Sequence, residues 1–422
     1  MRRWKQILAG GLAACLLAIG VVPAAGAEES SFDPAHFLGL TQAQRLEDYD
    51  YLVKTLGDSY LCMGVRDREK PDDPSEEIFK DYREMVAESD SDEDFYKAVY
   101  STLYRLGPYG HMWMIEPENY QRMLDWCKNQ DTVGREHWRD ILEDPVTQRG
   151  YERLAELMEF YGEDESGSWS EGEAGENVRT LLLEESGVAY VKIDSFPAEF
   201  EEAYAEDQKT LTAFFNAAGK CKDLIIDITD NSGGNEGYWQ NLIVAPLIDQ
   251  PLSCTNYALL ANSGNNRPYI ENVFSPEDLH PISELPKLPK LNRDGIEAAT
   301  HFVESTLAVK PAAKGAAFRG NVWVLVGPYV YSASESFSVF CQQTGFATLV
   351  GEKTGGDGIG ALDPIFLRLP NSGLLVQFTM MFGLNADGSS SEEAGTTPDV
   401  RSPAGEPPLI AALQAALAER KS

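Results

Sequence analysis

The second half of the chain contains apolar runs that end in glycine-rich polar turns. Val322–Val326 is an unbroken apolar run bounded by Gly327-Pro328, and it predicts a buried strand. A segment with helical apolar spacing then runs from Ser332 to Gly345, and Ala347–Val350 predicts a second buried strand. Together these segments predict a strand, a sharp turn, a helix that begins on a serine, and a further strand.

The first serine of this helix has two interpretations. Ser332 and Glu335 have the S-x-x-E spacing of a capping box, in which both side chains satisfy backbone donors at a helix start, and this is the ordinary interpretation. In the alternative, the turn presents the Ser332 hydroxyl at the end of a sheet, beside unpaired N–H groups that stabilise negative charge. The spacing alone leaves both open.

A second strand that ends in a polar turn favours the alternative. Leu224–Ile228 predicts a buried strand, and the turn Asn231-Ser232-Gly233-Gly234 follows it. Because such turns meet at one edge of a sheet, a hydroxyl and several backbone N–H groups are expected to come together there.

Helical spacing dominates the first part of the chain and predicts a helical N-terminal region. Farther along, Val188–Ile193, Glu201–Ala218 and Leu224–Ile228 read as strand, helix and strand, which predicts a parallel crossover and a mixed-sheet α/β core. Later strands are predicted at Ile365–Leu369 and Leu374–Met380. The predicted N-terminal helices are Thr41–Leu56, Ser75–Met85 and Asp92–Leu106.

The pattern divides the chain into four parts. Two segments of the core that are rich in proline and asparagine, 263–283 and 286–294, are predicted to loop over the surface. The four predicted parts are a signal peptide at 1–27, a helical N-terminal domain at 28–120, a helical insert with an acidic linker at 121–180, and the core at 181–422.

The first 27 residues have the organisation of a secretory signal. Three basic residues precede an apolar run over Ile7–Val22, and Ala25-Gly26-Ala27 offers a small-residue cleavage site. Leu12-Ala13-Ala14-Cys15 resembles a bacterial lipoprotein cleavage box, so lipidation at Cys15 is an alternative. The protein is predicted to be secreted or held at the cell surface, with no lasting membrane anchor.

Charge excludes some classes of partner. The net charge of the chain is −32, and removal of residues 1–27 leaves 32 basic and 67 acidic residues, a net charge of −35. Such a chain repels nucleic acid and anionic membranes. Five cysteines follow residue 27 with no C-x-x-C pair, and Asp227 and Asp230 at a strand end are typical of turn caps. We therefore predict no metal and no cofactor.

Four motifs in order resemble those of the tail-specific (C-terminal processing) serine peptidases. LIIDITDNSGG is similar to their LIIDLRxNxGG, VLVGPYVYSASESF to their VLVxxxTASASE, LVGEKTGG to their xxGExTxG, and the GTTPDV of Gly395–Val400 to their GVxPDI. The resemblance implies a ClpP/crotonase-like peptidase core, a peptide or protein substrate, and hydrolysis of peptide bonds. It implies Ser332 as the nucleophile, with an oxyanion hole formed by the N–H groups of Ala333 and of Gly233 or Gly234.

The base on the serine is the point at which this chain departs from the lysine-type members. They carry the lysine in GxTxGKG, and Asp357 takes its place here. An ordinary aspartate has a pKa of about 3.9 and is a poor base for a serine hydroxyl. Lys353 lies nearby in the same loop and stays open as an alternative base.

A histidine turn offers the other base. Gly107–His111 precedes a short apolar run, and an ordinary turn histidine is the simpler interpretation. The turn resembles the DGHT-like turn of the tricorn-core-like branch, which implies His111 as the base and a glutamate before GVxPDI as its orienting partner. Glu392 or Glu393 fits that place, and the spacing to Gly395 favours Glu392, although a solvated acidic loop explains the pair equally.

Many of these peptidases insert a PDZ domain between the helices and the core. Residues 121–176 contain no strand-rich block or carboxylate-binding glycine loop of that kind, so no PDZ domain is predicted. The sequence therefore predicts a secreted serine-type endopeptidase with a Ser332–His111 centre. The alternatives are an inactive peptide- or ligand-binding protein on the same fold, and a peptidase that uses a Ser332–Lys353 dyad.

Overall fold

The structure is a computed structural model that describes residues 32–129, 136–161, 176–313, 317–359, 364–403 and 405–420. The predicted signal peptide, its Cys15 alternative and most of the predicted acidic linker lie outside these residues. None of the helices in the described ranges has the length and apolar character needed to cross a bilayer.

The N-terminal region is helical, as predicted. The first helix begins with a capping box, in which Thr41 Oγ1 accepts from Gln44 N and Gln44 Oε1 accepts from Thr41 N, and it buries Tyr49, Leu52 and Leu56. Ser91 caps the fourth helix by accepting from Asp94 N. The helices are α1 (Gln42–Ser59), α2 (Met63–Glu69), α3 (Ser75–Glu88) and α4 (Asp92–Leu106).

A turn at Pro108–His111 connects α4 to the short strand β1 (Trp113–Met114). The described part of the segment that follows is helical, and it lies where a PDZ domain would stand in many of the peptidases whose motifs this chain resembles. Its helices are α5 (Pro117–Asn129), α6 (Glu136–Leu142) and α7 (Pro145–Tyr161).

The core is built on a six-stranded mixed sheet in the order β13-β9-β8-β4-β3-β2. Five strands run parallel and β2 runs antiparallel beside β3. The predicted crossover is present, because α8 connects β3 to β4. The elements are β2 (Val178–Leu183), β3 (Val188–Ile193), α8 (Glu202–Ala218), β4 (Asp223–Asp227), α9 (Glu236–Tyr238), β5 (Leu252–Leu260), α10 (Arg267–Val273), β6 (His280–Pro281), β7 (His301–Val309), β8 (Asn321–Val326), α11 (Ala333–Thr344), β9 (Thr348–Gly351), β10 (Ile365–Arg368), β11 (Leu375–Phe378), β12 (Met381–Asn385), α12 (Ser391–Ala394), β13 (Val400–Arg401) and α13 (Pro408–Glu419).

Helices cover both faces of this sheet, which explains why its strands are apolar on both sides. Phe215 of α8 and Phe337 of α11 pack in the cluster on one face, together with Val324 of β8. Ala412 of α13 packs with Trp323 on the other face.

Two smaller antiparallel sheets complete the fold, with orders β12-β5-β7-β6 and β1-β11-β10. The sequence pattern does not predict the nine-residue strands β5 and β7, and the predicted loop at 263–283 contains α10 and β6. In these segments polar residues alternate irregularly with apolar ones, so the strand period is hard to recognise. The predicted domain boundaries at 120 and 180 stay predictions.

The N-terminal helices and the β1-β11-β10 sheet share one hydrophobic cluster, to which Leu52 and Phe378 both belong. A buried carboxylate adds a polar connection. Asp48 of α1 accepts hydrogen bonds from the backbone N–H groups of Asn371, at 2.7 Å, and Ser372, at 2.8 Å, which lie in the turn between β10 and β11. The Asp48 carboxylate therefore fixes the β10–β11 turn to α1.

Replacing Asp48 with alanine is expected to lower the free energy of unfolding by about 2–4 kcal/mol, because two buried N–H groups lose a charged acceptor. Urea denaturation measures the change. The matched control is Asp50→Ala in the same helix, where an exposed pair with Arg83 is lost at a cost under about 1 kcal/mol. Equal losses in the two variants would contradict the role given to Asp48.

Candidate active site

Ser332 lies at the turn between β8 and α11, and its hydroxyl does not cap the helix. Its φ and ψ of 55° and −126° are unusual for a residue other than glycine. Backbone hydrogen bonds fix this conformation: Ser332 N donates to Gly356 O at 3.1 Å, and Ser336 N donates to Ser332 O at 2.9 Å. The capping interpretation of Ser332 therefore fails in the structure, and the hydroxyl is directed elsewhere.

The Ser332 hydroxyl meets an imidazole from the N-terminal region. Ser332 Oγ lies 3.2 Å from His111 Nε2, across 221 positions of sequence. The turn that carries His111 is held on both sides of Gly110, whose N–H donates to Glu392 Oε1 at 3.0 Å and whose carbonyl accepts from Thr379 N at 2.8 Å. The structure thus brings together the two residues on which the sequence hypothesis depends.

The other imidazole nitrogen meets Asp357, not Glu392. His111 Nδ1 lies 2.5 Å from Asp357 Oδ2, and the Asp357 side chain is 3% exposed. Tyr331 adds its hydroxyl to the same oxygen at 3.3 Å. The geometry corrects the expectation that Glu392 orients the histidine, because Asp357 occupies that place.

The three residues of this chain of contacts share a strained backbone. Among the described residues other than glycine, positive φ occurs only at His111 (54°), Ser332 (55°) and Asp357 (54°). Each such conformation costs about 1–3 kcal/mol and persists only where the surroundings impose it. Strain of this kind, confined to three residues in mutual contact, is typical of a functional site.

Glycines on either side of Asp357 allow its loop to lie against the nucleophile turn. Gly355 N donates to Val330 O at 2.8 Å, so the loop runs beside the turn as a strand would. A Cβ on Gly356, which has a φ of 103°, would lie 2.4 Å from Ser391 O, and one on Gly358 would lie 2.6 Å from Ser336 N. The close packing requires glycine at both positions and fixes the backbone between them.

Glu392 is a neighbour of Asp357 and supports the histidine turn through Gly110. Burial raises the pKa of Glu392 well above its ordinary value, and the neighbouring Asp357 carboxylate raises it further. A carboxyl that keeps its proton is a poor anionic partner for an imidazole. This electrostatic reason agrees with the geometry, which gives the imidazole contact to Asp357.

The glycine turn after β4 lies against the serine. A Cβ on Gly233 would lie 2.9 Å from Ser332 Cβ and 3.0 Å from Ala333 N, so only glycine fits there. Asn231 Oδ1 accepts from Gly233 N at 2.8 Å and from Ser334 Oγ at 2.6 Å, which ties the turn to α11. Within the described part of the chain, the N–H groups of Gly234 and Ala333 have no acceptor. These two amides are therefore available as donors.

Lys353 lies on another side of the site. Its side chain is exposed and lines a polar cavity of about 250 Å³ that Tyr331 and Glu392 also border. Among the described residues, the Ser332 hydroxyl contacts the imidazole and makes no hydrogen bond to this ammonium group. The strand-end carboxylates are also engaged: Asp227 accepts from Tyr190 and Thr229, and Asp230 pairs with Lys192.

Sequence reasoning misses the roles of two residues of the site. The pattern marks Asp357 only as a poor base. The signal that could have found its contact with the histidine is a carboxylate in the glycine-rich loop that follows the serine helix. Asn231 is predicted only as part of a turn, and its side chain ties Gly233 to Ser334.

Glu335 is a fully buried carboxyl in the first turn of α11. Burial raises its pKa from 4.5 to about 7, although its Oε1 accepts from Thr396 Oγ1 at 2.7 Å. The side chain therefore joins α11 to the segment before β13 and does not form the capping box that the S-x-x-E spacing suggests.

Comparison with known proteins agrees with the motifs. The profile of peptidase family S41 matches residues 187–402. No curated protein matches the sequence. A candidate peptidase from Parabacteroides merdae is similar in structure with a TM-score of 0.55, 16% identity and coverage of 90% of this chain and 98% of that one. At this identity the likeness shows a shared fold alone.

Two more distant structures are also similar. The photosystem II D1 C-terminal processing protease has a TM-score of 0.42 and 14% identity, over 86% of this chain and 92% of that one. A lipoprotein from Streptococcus agalactiae has a TM-score of 0.41 and 12% identity, over 81% of this chain and 88% of that one. Similarity at this level adds nothing on substrate or mechanism.

The unchanged protein is expected to lose stability between pH 5 and pH 8, and Glu335→Gln is expected to remove that loss. The folded protein holds the Glu335 proton up to about pH 7 and the unfolded chain only to about 4.5, so stability falls as the pH rises through this window. Glutamine removes that loss, worth up to about 3 kcal/mol. Urea denaturation at both pH values measures it. Glu352→Gln, at an exposed position, is the control, and an unchanged pH profile in the Glu335→Gln variant would contradict the assignment.

Proposed function

Because the chain belongs to peptidase family S41, we propose that it hydrolyses peptide bonds with Ser332 as the nucleophile and His111 as the general base and acid. The observation that carries this proposal is the line of contacts from the Ser332 hydroxyl through the imidazole to Asp357. All three residues have strained backbones that the surrounding hydrogen bonds hold in place.

The first step is proton transfer from the alcohol. A serine hydroxyl is a weak nucleophile, and a neutral imidazole within hydrogen-bond reach takes its proton as Oγ attacks the peptide carbonyl. Asp357 accepts a hydrogen bond from Nδ1–H, so Nε2 is the nitrogen that faces Ser332 with a lone pair, and the carboxylate stabilises the imidazolium that forms.

The oxygen of the attacked carbonyl becomes an anion that needs donors. The N–H of Ala333, at the start of α11, and the N–H of Gly234 are the donors in this proposal. Gly233 lets the glycine turn approach the serine, while its own N–H is used by Asn231. A donor of this kind is worth about 2.7–4 kcal/mol of the barrier.

The imidazolium then donates its proton to the leaving amine, which leaves an acyl group on Ser332 Oγ. Water enters, His111 takes one of its protons, and the hydroxide attacks the ester. The imidazolium then returns this proton to Ser332 Oγ as the ester bond breaks, which restores the Ser332 hydroxyl and releases the second peptide fragment with a new carboxyl group. In this mechanism the chain uses the histidine-based centre of the tricorn-like branch, without the lysine that other members carry.

Two other functions are separable by experiment. An inactive peptide-binding protein would keep the fold without turnover, which the loose match of the His111 turn to DGHT motivates. A Ser332–Lys353 dyad would use the lysine of the glycine-rich loop, and the exposed position of Lys353 beside Tyr331 makes it the weaker base candidate.

We also propose that the substrate is a peptide or protein outside the cytoplasm, since residues 1–27 have the organisation of a signal peptide. Those residues lie outside the described part of the chain. The mass of the exported protein tests the predicted signal, because cleavage after Ala27 and lipidation at Cys15 leave different N-termini.

A fluorophosphonate probe tests the nucleophile. The intact protein is expected to be labelled, and Ser332→Ala is expected to lose all labelling, since Ser332 supplies the hydroxyl that contacts His111. His111→Ala should slow labelling by at least about a hundred-fold, because the alcohol then lacks its base. Mass spectrometry of the labelled peptide locates the adduct.

Lys353→Met is the matched control for the base. It is expected to be labelled at the rate of the unchanged protein, whereas a loss of labelling equal to that of His111→Ala would favour the lysine dyad. A folded protein that is never labelled, and that cleaves no peptide, would favour the inactive binding protein.

Asp357→Asn and Glu392→Gln distinguish the roles of the two carboxyl groups near the histidine. The Asp357→Asn change removes the negative charge at Nδ1 and is expected to lower kcat by about 10³–10⁴. After Glu392→Gln the side-chain amide oxygen can still accept from Gly110 N, so this variant is expected to stay within roughly ten-fold of the unchanged protein. Peptidase assays with a quenched fluorescent peptide measure both, and the reverse order of losses would return the orienting role to Glu392.

A further inference from the structure

An apolar groove of about 540 Å³ lies beside the candidate active site. Its walls come from several parts of the chain that the sequence separates widely, and these include Trp113 of β1 and Gln377 of β11. The helical insert contributes Met123, Trp126 and Trp138, and the segment after β3 contributes Phe200. Of the described residues that line the groove none is acidic, in a chain with a net charge of −32.

The groove is continuous with the catalytic histidine. Trp113, which lines the groove, contacts the His111 ring with centroids 5.7 Å apart. Trp113 is also the first residue of β1, the outer strand of the β1-β11-β10 sheet. An extended peptide that reaches Ser332 therefore has an edge strand and an apolar groove near it.

The walls of the groove are rigid and partly exposed. Trp138 Nε1 donates to Pro364 O at 3.2 Å, and its ring contacts Phe366 at 5.1 Å and Trp126 at 6.3 Å. Phe200 is 86% exposed and Trp113 40% exposed, which leaves large aromatic faces uncovered. Exposed aromatic surface that continues into a groove is typical of a binding site, and fixed walls lower the entropy lost on binding.

We propose that this groove is a specificity subsite that accepts a bulky aromatic side chain of the peptide substrate. The subsite deepens the proposed peptidase function and depends on it. The rings of His111 and Trp113 are 5.7 Å apart, about the length of two residues of an extended peptide, so the aromatic residue is placed about two positions from the scissile bond. The lining is mostly apolar, with the ring faces of three tryptophans and one basic residue, Arg122, whose guanidinium can also lie against a ring. It therefore favours an aromatic occupant over a cationic one.

A set of quenched fluorescent peptides, each about ten residues long, tests the subsite. The host sequence consists of alanine, glycine and serine, and one phenylalanine moves through it position by position. Cleavage at a bond about two positions from phenylalanine is expected to exceed cleavage of the parent peptide by roughly ten-fold or more in kcat/KM, the gain expected from burial of one aromatic side chain.

Variants of the groove give the matched comparison. Phe200→Ala and Trp126→Ala are each expected to reduce the ratio of kcat/KM between the phenylalanine and parent peptides by at least about three-fold. Tyr104→Ala removes a similarly exposed aromatic ring from α4, 72% exposed and outside the groove, and should leave the ratio and the activity unchanged. Phe200 lies at the surface, so its removal does not endanger folding.

A binding measurement separates failure of the subsite from failure of the peptidase proposal. The quenching of tryptophan fluorescence by the same peptides is measured with Ser332→Ala protein, which needs no turnover. Tighter binding of the phenylalanine peptide, weakened by Phe200→Ala, supports the subsite even if no peptide is cleaved. Equal binding of both peptides, or cleavage without any preference for phenylalanine, would overturn the subsite and leave the peptidase proposal standing.

Discussion

One histidine side chain connects the two halves of the candidate active site. The imidazole of His111 can reach both Ser332 Oγ and Asp357 only while three residues keep a backbone conformation that other residues rarely adopt. The strain of these three positions costs about 1–3 kcal/mol each, and the packing of the whole fold must offset it. The geometry of the site is therefore a property of the folded protein and not of any local segment.

Hydrogen bonds around the site help to offset the conformational strain of these three residues. Gly110 is held by Glu392 from one side and by Thr379 from the other, and Ser332 is held by Gly356. Each of these contacts joins segments that the sequence separates. The anchors lie in α12, in the glycine-rich loop and directly after β11, so the orientation of the imidazole depends on how these segments pack against one another.

Much of the fold could be predicted because its periodicity is strong. The strand at β8, the helix of α11 and the glycine turn after β4 follow from apolar runs and turn residues, and the family motifs lie on them. The strands β5 and β7 escaped prediction, since sheet pairing between distant segments does not leave a regular local pattern. Likewise, the sequence places Ser332 at a helix start. It does not show that the Ser332 hydroxyl contacts His111 instead of capping the helix, because His111 lies 221 positions away.

The partner of the histidine could not be predicted for a related reason. Glu392 has the position that the resemblance suggests, but burial and the neighbouring carboxylate raise its pKa and favour its protonated form. Asp357 occupies the place of a lysine, and its suitability for the imidazole appears only when the glycine-rich loop is folded against the serine turn. The chemical type of both residues was visible in the sequence, whereas the packing that brings one of them to the imidazole depends on the fold.

The shared hydrophobic cluster has a consequence for how the protein can be divided. The segment with the family signature, residues 187–402, holds the alcohol and the acid, but the imidazole is contributed from residue 111. A fragment trimmed to the signature would thus contain a hydroxyl with nothing to accept its hydrogen. Any gene fusion, limited digestion or evolutionary loss that detaches the region before residue 187 removes the imidazole and most of the apolar groove, even where the remaining strands stay intact.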